Sequence, residues 1–126
     1  MAPSTNMKPR GFTKEQRLRT PAEFERVYAQ RNRAGDHLLL VFAATNDLPQ
    51  SRLGLSVSRK VGKAHVRARW KRLLREAFRL HQHELPTGLD LIVIPRAGVE
   101  PQLDALAESL QSLAARLHRR LSRELK

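Results

Sequence analysis

Hydrophobic side chains recur along this chain with two periods, and the helical period of three to four residues appears three times. The first helix is predicted from residue 20 to residue 30, because an N-cap residue and a proline precede apolar residues spaced by three and four. Its markers are Thr20, Pro21, Phe24, Val27 and Tyr28.

A second helix is predicted from His65 to Gln82, with one apolar and one basic face. The apolar face comprises Val66, Trp70, Leu73, Leu74, Ala77 and Leu80. The third helix begins at about Pro101 and carries a stripe of leucines at spacings of three and four, namely Leu103, Leu106, Leu110, Leu113, Leu117, Leu121 and Leu125. In so short a chain we expect this stripe to cover a sheet rather than to form a dimer seam.

Strands are predicted where apolar residues run continuously or alternate between turn residues. His37 to Ala44 and Leu89 to Ile94 are continuous and therefore buried, whereas Arg52 to Ser58 alternates and is half-buried. Asn32 to Asp36 has the composition of a turn, so the pattern alone gives the order α, β, β, α, β, α. That order predicts an α+β fold with helices packed against one sheet.

The length and composition indicate one domain with a short leading segment. Residues 1–11 are polar and contain two prolines, so we expect them to be flexible. We expect residues 12–126 to form a single α/β domain that ends in the long amphipathic helix.

Positive charge is concentrated between Arg52 and Arg79. This run holds ten of the 24 Lys and Arg residues and a single acid, Glu76, in a chain of net charge +12. A solvated helix face normally mixes both signs, whereas this face carries one sign only. The loop before the helix adds Arg59, Lys60 and Lys63 near a helix N-terminus, where phosphate is favoured. The run therefore predicts a surface that binds nucleic acid.

Several other classes of function are disfavoured by the composition. The chain has no cysteine, so disulfides, thiolate catalysis and cysteine-ligated zinc are excluded. No apolar stretch is long enough to span a membrane, and residues 1–12 do not form a secretory signal, so we expect a cytoplasmic protein with no membrane partner. The five histidines and twelve acids are scattered, which predicts no metal site and no catalytic residue in the chain itself.

Aromatic residues could extend the contact with nucleic acid from phosphates to bases. Phe24, Tyr28 and Phe42 are candidate stacking platforms, and ordinary core packing is an equally good interpretation of all three. Trp70 and Leu74 lie on the apolar side of the basic helix, so we expect them in the core.

The charged run also carries a resemblance to a known family. The segment GLSVSRKVGKAHVRARWKRLLREAFR closely resembles the signature of the protein subunit of bacterial ribonuclease P. RLRTPAEFERVY and LPTGLDLIVIPRAG resemble the family's first helix and later strand, so the similarity covers about residues 12 to 98. The resemblance implies a compact α/β sandwich with a sheet of about four strands, three helices and a left-handed βαβ crossover.

The resemblance also implies a division of labour between protein and RNA. In this family an RNA subunit holds the catalytic magnesium ions and removes the 5′ leader of precursor tRNA, while the protein binds both RNAs. The protein alone would bind no cofactor and would be monomeric within the ribonucleoprotein. Residues expected at the RNA subunit are Arg59, Lys63, Arg67, Arg69, Lys71, Arg72 and Arg75; residues expected at the leader are Arg17, Phe24, Tyr28, Phe42 and Lys60.

One position departs from the family signature. The family usually has Arg-Asn-Arg where this chain has Arg67-Ala68-Arg69, and Trp70 replaces a smaller aliphatic residue. Ala68 removes an amide donor and acceptor but keeps the arginine spacing. Two other functions remain open: a ribosomal or other structural RNA-binding protein, and a stand-alone nuclease, which the scattered acids and histidines disfavour.

Overall fold

The helices and strands occur in the predicted order, with one additional strand. A computed structural model describes residues 14–124, so the predictions for residues 1–11 and for Leu125 lie outside the described residues. The elements are α1 (Pro21–Ala29), β1 (Arg33–Gly35), β2 (Leu39–Thr45), β3 (Arg52–Leu55), α2 (Ala64–His81), β4 (Leu89–Pro95) and α3 (Leu103–Glu124). Short 3-10 helices lie at Lys14–Gln16, Arg59–Val61 and Gln82–Glu84.

The four strands form one mixed sheet in the order β1-β2-β4-β3. The β1–β2 and β2–β4 pairs are antiparallel, whereas β3 and β4 are parallel and connected through α2. The α+β class, the three helices and the sheet of about four strands are thereby confirmed. The left hand expected for the βαβ crossover stays a prediction.

Two boundaries predicted from the sequence pattern are wrong. The segment predicted as a turn, Asn32 to Asp36, contains the three-residue strand β1, which pairs with β2 from Arg33↔Phe42 to Gly35↔Leu40. So short a strand shows no alternation, and only its pairing identifies it. The strand predicted to reach Ser58 ends at Leu55, where the chain turns toward the 3-10 helix Arg59–Val61.

Most of the apolar core lies on one face of the sheet, beneath α2 and α3. Leu39, Val41, Leu91 and Val93 point into this core from the central strands. The helices contribute Trp70, Leu74 and Phe78 from α2 and Leu106, Leu110, Leu113, Leu117 and Leu121 from α3. The leucine stripe therefore covers the sheet, as predicted, and Trp70 and Leu74 are core residues. Leu80 was predicted on the apolar face of α2 but is 44% exposed, because it lies at the edge of that face.

The opposite face of the sheet is covered only in part, by α1. Thr20 caps this helix, since its Oγ1 accepts from the Glu23 N–H (3.2 Å) while the Thr20 N–H donates to Glu23 Oε1 (3.0 Å). The Glu23 carboxylate accepts hydrogen bonds from the backbone N–H groups of Arg19 and Thr20, and these two bonds lower the pKa of Glu23. Val27 of α1 packs with Ala44, Ile92 and Leu18 in a smaller second core.

The buried carboxylate of Asp90 in β4 links α1 to β3 and to the turn after β2. Asp90 of β4 has a fully buried side chain and accepts from the guanidinium of Arg52 at both oxygens, with Nε–Oδ1 2.8 Å and Nη2–Oδ2 2.7 Å. Asn46, after β2, donates to Oδ1 (2.9 Å), and Arg26 of α1 donates to Oδ2. The hydrogen bond to Asp90 raises the pKa of Arg52. We call Asp90, Arg26, Arg52 and Asn46 the Asp90 network.

Arg26 and Arg52 each make a second contact that closes this network. Arg26 Nη1 donates to the Thr45 carbonyl (3.1 Å), and Arg52 Nη1 pairs with Glu23 Oε2 (3.3 Å). The helix α1 is thus held against the ends of β2 and β3 by directional contacts as well as by the small apolar cluster. The position of α1 determines where its aromatic side chains lie.

Replacing Asp90 by Asn is therefore expected to destabilise the fold strongly. Two guanidinium groups would face a neutral amide in a buried site, at a cost of about 3–5 kcal/mol in the free energy of unfolding. Urea unfolding followed by circular dichroism measures this loss. The control is Glu76→Gln, which breaks the more exposed Glu76–Arg79 pair and should leave the midpoint nearly unchanged. Equal midpoints for the two variants would contradict the role assigned to Asp90.

Candidate RNA-binding surfaces

The loop and helix of the charged run form one basic surface. The 3-10 helix Arg59–Val61 leads through Gly62 into α2, and Gly62 has φ 154°, a value that favours glycine. A Cβ at this position would lie 2.9 Å from Val66 Cγ1, so a side chain would push the loop away from the helix. Gly62 therefore lets the cations of the loop and those of the helix lie side by side.

Arg67 links the loop to the helix through two hydrogen bonds. Its Nε donates to the Gly62 carbonyl (3.2 Å), and its backbone N–H donates to the Lys63 carbonyl (3.0 Å). The guanidinium is consequently held at the junction of loop and helix. Lys63 is the N-cap residue of α2 and is exposed, so its ammonium group lies at the surface beside Arg67.

Three cations of the charged run are held by acids in the structure. Arg52 belongs to the Asp90 network, Arg69 pairs with Glu100 (2.6 Å) and Arg79 pairs with Glu76 (2.6 Å). Arg69, which the resemblance places at the RNA subunit, lies toward Glu100 and the Pro101 carbonyl, just before α3. Its contact with the RNA subunit stays a prediction. The hydrogen bond from Arg79 lowers the pKa of Glu76.

The other seven cations of the run have no ion pair with any residue in 14–124. They are Arg59, Lys60, Lys63, Arg67, Lys71, Arg72 and Arg75, and we call them the basic-helix surface. A concentration of one sign without compensating acids attracts a polyanion and is itself destabilising by self-repulsion.

Arg17, which the resemblance places at the leader, lies beside this surface, and its contact with the leader stays a prediction. An isolated parallel β-bridge pairs the backbone of Arg17 with that of Leu53 in β3, and the Leu18 N–H donates to the Leu53 carbonyl (3.0 Å). Arg17 then lines a groove between β3 and α2 together with Leu18, Leu53, Leu55, Lys71 and Arg75. Lys60, also grouped with the leader-binding residues, is exposed on the 3-10 helix Arg59–Val61 at the start of the basic-helix surface.

The three candidate aromatic residues come together on the partly covered face of the sheet. Tyr28 of α1 and Phe42 of β2 make an edge-to-face contact, with ring centroids 4.9 Å apart and an interplanar angle of 83°. Phe24, Tyr28 and Phe42 are all half-buried against the second core. We call these three residues the aromatic cleft. Each ring contributes to packing and keeps an accessible portion, so core packing and base stacking are compatible here.

Gly54 of β3 makes room for this cleft. A Cβ at Gly54 would lie 2.8 Å from Phe24 Cζ and 3.0 Å from Leu18 Cβ. The Phe24 ring therefore extends from α1 onto the backbone of β3. Because Leu53 and Leu55 line the basic groove and Gly54 supports Phe24, the two surfaces adjoin across one strand.

The groups that the two surfaces expose are cations and aromatic rings. Among residues 14–124, no three His, Asp or Glu side chains gather where they could hold a metal ion. Within the same residues no helix is long and apolar enough to cross a membrane. The two surfaces offer guanidinium and ammonium groups for phosphates and ring faces for bases.

Comparison with known proteins agrees with this geometry. The family model for ribonuclease P matches residues 12–118. This chain belongs to the ribonuclease P protein family. The ribonuclease P protein component of Salmonella paratyphi A is 47% identical over 115 residues, covering 89% of this chain and 94% of that protein. Ribonuclease P is a tRNA-processing endoribonuclease, and the chain is a component of that ribonucleoprotein.

Solved structures of the family share the fold. The ribonuclease P protein from Thermotoga maritima is 32% identical with a TM-score of 0.73, over 79% of this chain and 96% of that chain. The protein from Staphylococcus aureus is 30% identical with a TM-score of 0.69, over 78% and 91%.

The departure from the ribonuclease P signature is tolerated for clear physical reasons. Ala68 is exposed on α2, so the lost amide leaves no unsatisfied partner in the core. Trp70 is 1% exposed and packs in the main core with Leu74 and Phe78, so the larger ring is accommodated by the inner face of the helix.

The Asp90 network is the part of the site that the sequence analysis missed. Arg52 was counted among the cations available to RNA, and Arg26 was not considered. An isolated acid within the apolar run Leu89 to Ile94 was the available signal, because a buried carboxylate requires cationic or hydrogen-bonding partners.

Removing the two helix cations of the groove should weaken association with structured RNA. For Lys71→Ala with Arg75→Ala, we expect the slope of log affinity against log salt to become shallower by roughly 1.4 to 1.8. Titrations at several salt concentrations measure the slope. Arg116→Ala with Arg119→Ala removes the same charge from exposed positions on α3 and should change the slope much less. Equal changes would show that overall charge, and not the groove, governs binding.

Proposed function

We propose that this ribonuclease P protein binds the catalytic RNA subunit through the basic-helix surface and the 5′ leader of precursor tRNA through the aromatic cleft. The observation that carries the proposal is that seven cations, which have no acidic partner among residues 14–124, adjoin across β3 a cleft of three partly accessible aromatic residues. Phosphates of a folded RNA match the first surface, and an unpaired strand matches the second.

The two surfaces differ in what they can recognise. Lys and Arg contacts to phosphates position an RNA without reading its sequence, so the basic-helix surface provides attachment and orientation. A ring face can stack on a base only if that base is unpaired, which is true of a leader and false of a duplex stem. This difference supports assigning the leader to the cleft and the RNA subunit to α2.

Positioning is the contribution that the protein makes to leader removal. A leader held in the cleft while α2 is docked on the RNA subunit would keep the cleavage site close to the catalytic RNA, which reduces the entropic cost of the reaction. We assign the chemical step to the RNA subunit and its magnesium ions. Within residues 14–124 no three His, Asp or Glu side chains gather where they could hold such an ion.

The oligomeric state and compartment follow from the same proposal. The leucine stripe of α3 is used within the core, which removes the apolar seam that a coiled-coil dimer would need. We therefore propose that the protein acts as a monomer within the ribonucleoprotein, in the cytoplasm where tRNA is processed.

Reconstitution tests the function directly. The chain, ribonuclease P RNA and precursor tRNA are combined at low magnesium concentration, and the release of leader is followed over time. We expect faster cleavage with protein than with RNA alone. An unchanged rate would refute the proposal, and cleavage by the protein without the RNA subunit would identify a stand-alone nuclease instead.

A second experiment tests the assignment of the cleft. Phe42→Leu keeps an apolar side chain beside Tyr28 but removes a stacking ring, worth about 1–3 kcal/mol per stacked base. Affinity of the holoenzyme for precursor tRNA should fall accordingly, with affinity for leaderless tRNA unchanged. Filter-binding titrations of both substrates provide the comparison. Equal losses on both would place Phe42 outside the leader contact.

A further inference from the structure

The aromatic cleft continues past Phe42 to the free edge of the sheet at β1. Arg33 is the Cα partner of Phe42 in the antiparallel β1–β2 pair, and directly opposite residues share a face with Cβ atoms about 5 Å apart. Arg31, Arg33 and Phe42 line a common groove. Two cations therefore adjoin the ring at the end of the cleft farthest from β3.

Local backbone structure directs both arginines to this groove. Arg31 adopts the left-handed conformation (φ 58°), and its N–H donates to the Tyr28 carbonyl (3.0 Å), so the chain turns sharply where α1 ends. The Arg33 carbonyl accepts from Arg120 Nη1 of α3 (2.5 Å), which anchors the edge strand. The groove is thus built on a turn and a strand that are each held by hydrogen bonds.

The charges of this groove are uncompensated. Arg31 and Arg33 are exposed, neither forms an ion pair with another residue of 14–124, and no carboxylate lines the groove. Guanidinium groups form strong bidentate hydrogen bonds to phosphate, and an adjacent ring face offers a stacking surface for a base. This combination suits the nucleotides of a single strand better than an isolated anion, which would not use the ring.

We propose that Arg31 and Arg33 form a phosphate-binding subsite that extends the leader track beyond Phe42 to the β1 edge. This inference rests on the proposed function. The four-stranded sheet separates β3 from β1 by three strand spacings, about 14 Å, so a leader leaving the α2 side must cross the sheet to reach the subsite. Leader nucleotides distant from the cleavage site bind at this subsite, whereas short leaders do not extend far enough to reach it.

The test uses the double variant Arg31→Asn with Arg33→Thr. Asn tolerates the left-handed conformation at position 31, and Thr suits an edge strand, so both charges are lost with little change to the backbone. Affinity of the holoenzyme is measured for tRNA without a leader and for precursors with progressively longer leaders, each at 50 and 200 mM salt.

We expect the variant to match the original chain on leaderless tRNA and on the shortest leaders, and to lose the gain in affinity that long leaders confer. With the longest leader, the decrease in affinity between 50 and 200 mM salt should be about sevenfold smaller than for the original chain, which corresponds to two single-strand phosphate contacts. Arg31→Lys with Arg33→Lys keeps the charges and should restore most of that salt dependence.

Arg116→Ala with Arg119→Ala is the matched control, because it removes two charges from α3, which packs on the opposite face of the sheet. The inference is overturned if this control reproduces the effect, or if the Arg31/Arg33 variant weakens leaderless and leader-bearing tRNA equally. If the original chain itself shows no gain from any leader, the proposed function fails, a result distinct from failure of the subsite alone.

Discussion

The buried carboxylate of Asp90 is the constraint on which the rest of this structure depends. A fully desolvated charge requires several partners, and here they come from α1, from β3 and from the turn after β2. Those partners must meet at one point, so Asp90 determines how α1 lies across the sheet. Because Phe24 and Tyr28 are carried by α1, the shape of the aromatic cleft follows from an interaction that touches neither ring.

Ion pairs, in this network and elsewhere in the described residues, determine which cations of the charged run are compensated by acids. Arg52 and Arg26 are committed to Asp90, Arg69 to Glu100 and Arg79 to Glu76. The cations of the run that have no acidic partner within residues 14–124 form a continuous surface from the 3-10 helix Arg59–Val61 along α2. The mutual repulsion of these cations is offset by packing, since the inner face of α2 places Trp70, Leu74 and Phe78 in the main core. A strongly charged helix can therefore stay folded before it meets a polyanion.

The sheet has two different faces, and this asymmetry separates stability from recognition. One face is fully covered by α2 and α3 and holds most of the buried leucines. The other is covered only over Ala44 and Ile92, which leaves Phe42 and the β1 edge accessible. Predictions from periodicity succeeded for the covered face, where an apolar helix stripe is stable because it packs against the sheet. They failed for β1 and for Leu80 at the edge of a helix face, where neighbours distant in sequence decide the outcome.

The amino-acid sequence by itself determined the three helices, the central strands, the Thr20 cap and the existence of a basic surface, because periodicity and capping act over a few residues. Only the tertiary structure decided which cations are free, since Arg52 meets Asp90 across 38 residues and Arg69 meets Glu100 across 31. It also decided that Arg33 lies opposite Phe42. Strand register and ion pairing are set by long-range packing, and no local pattern encodes the partner.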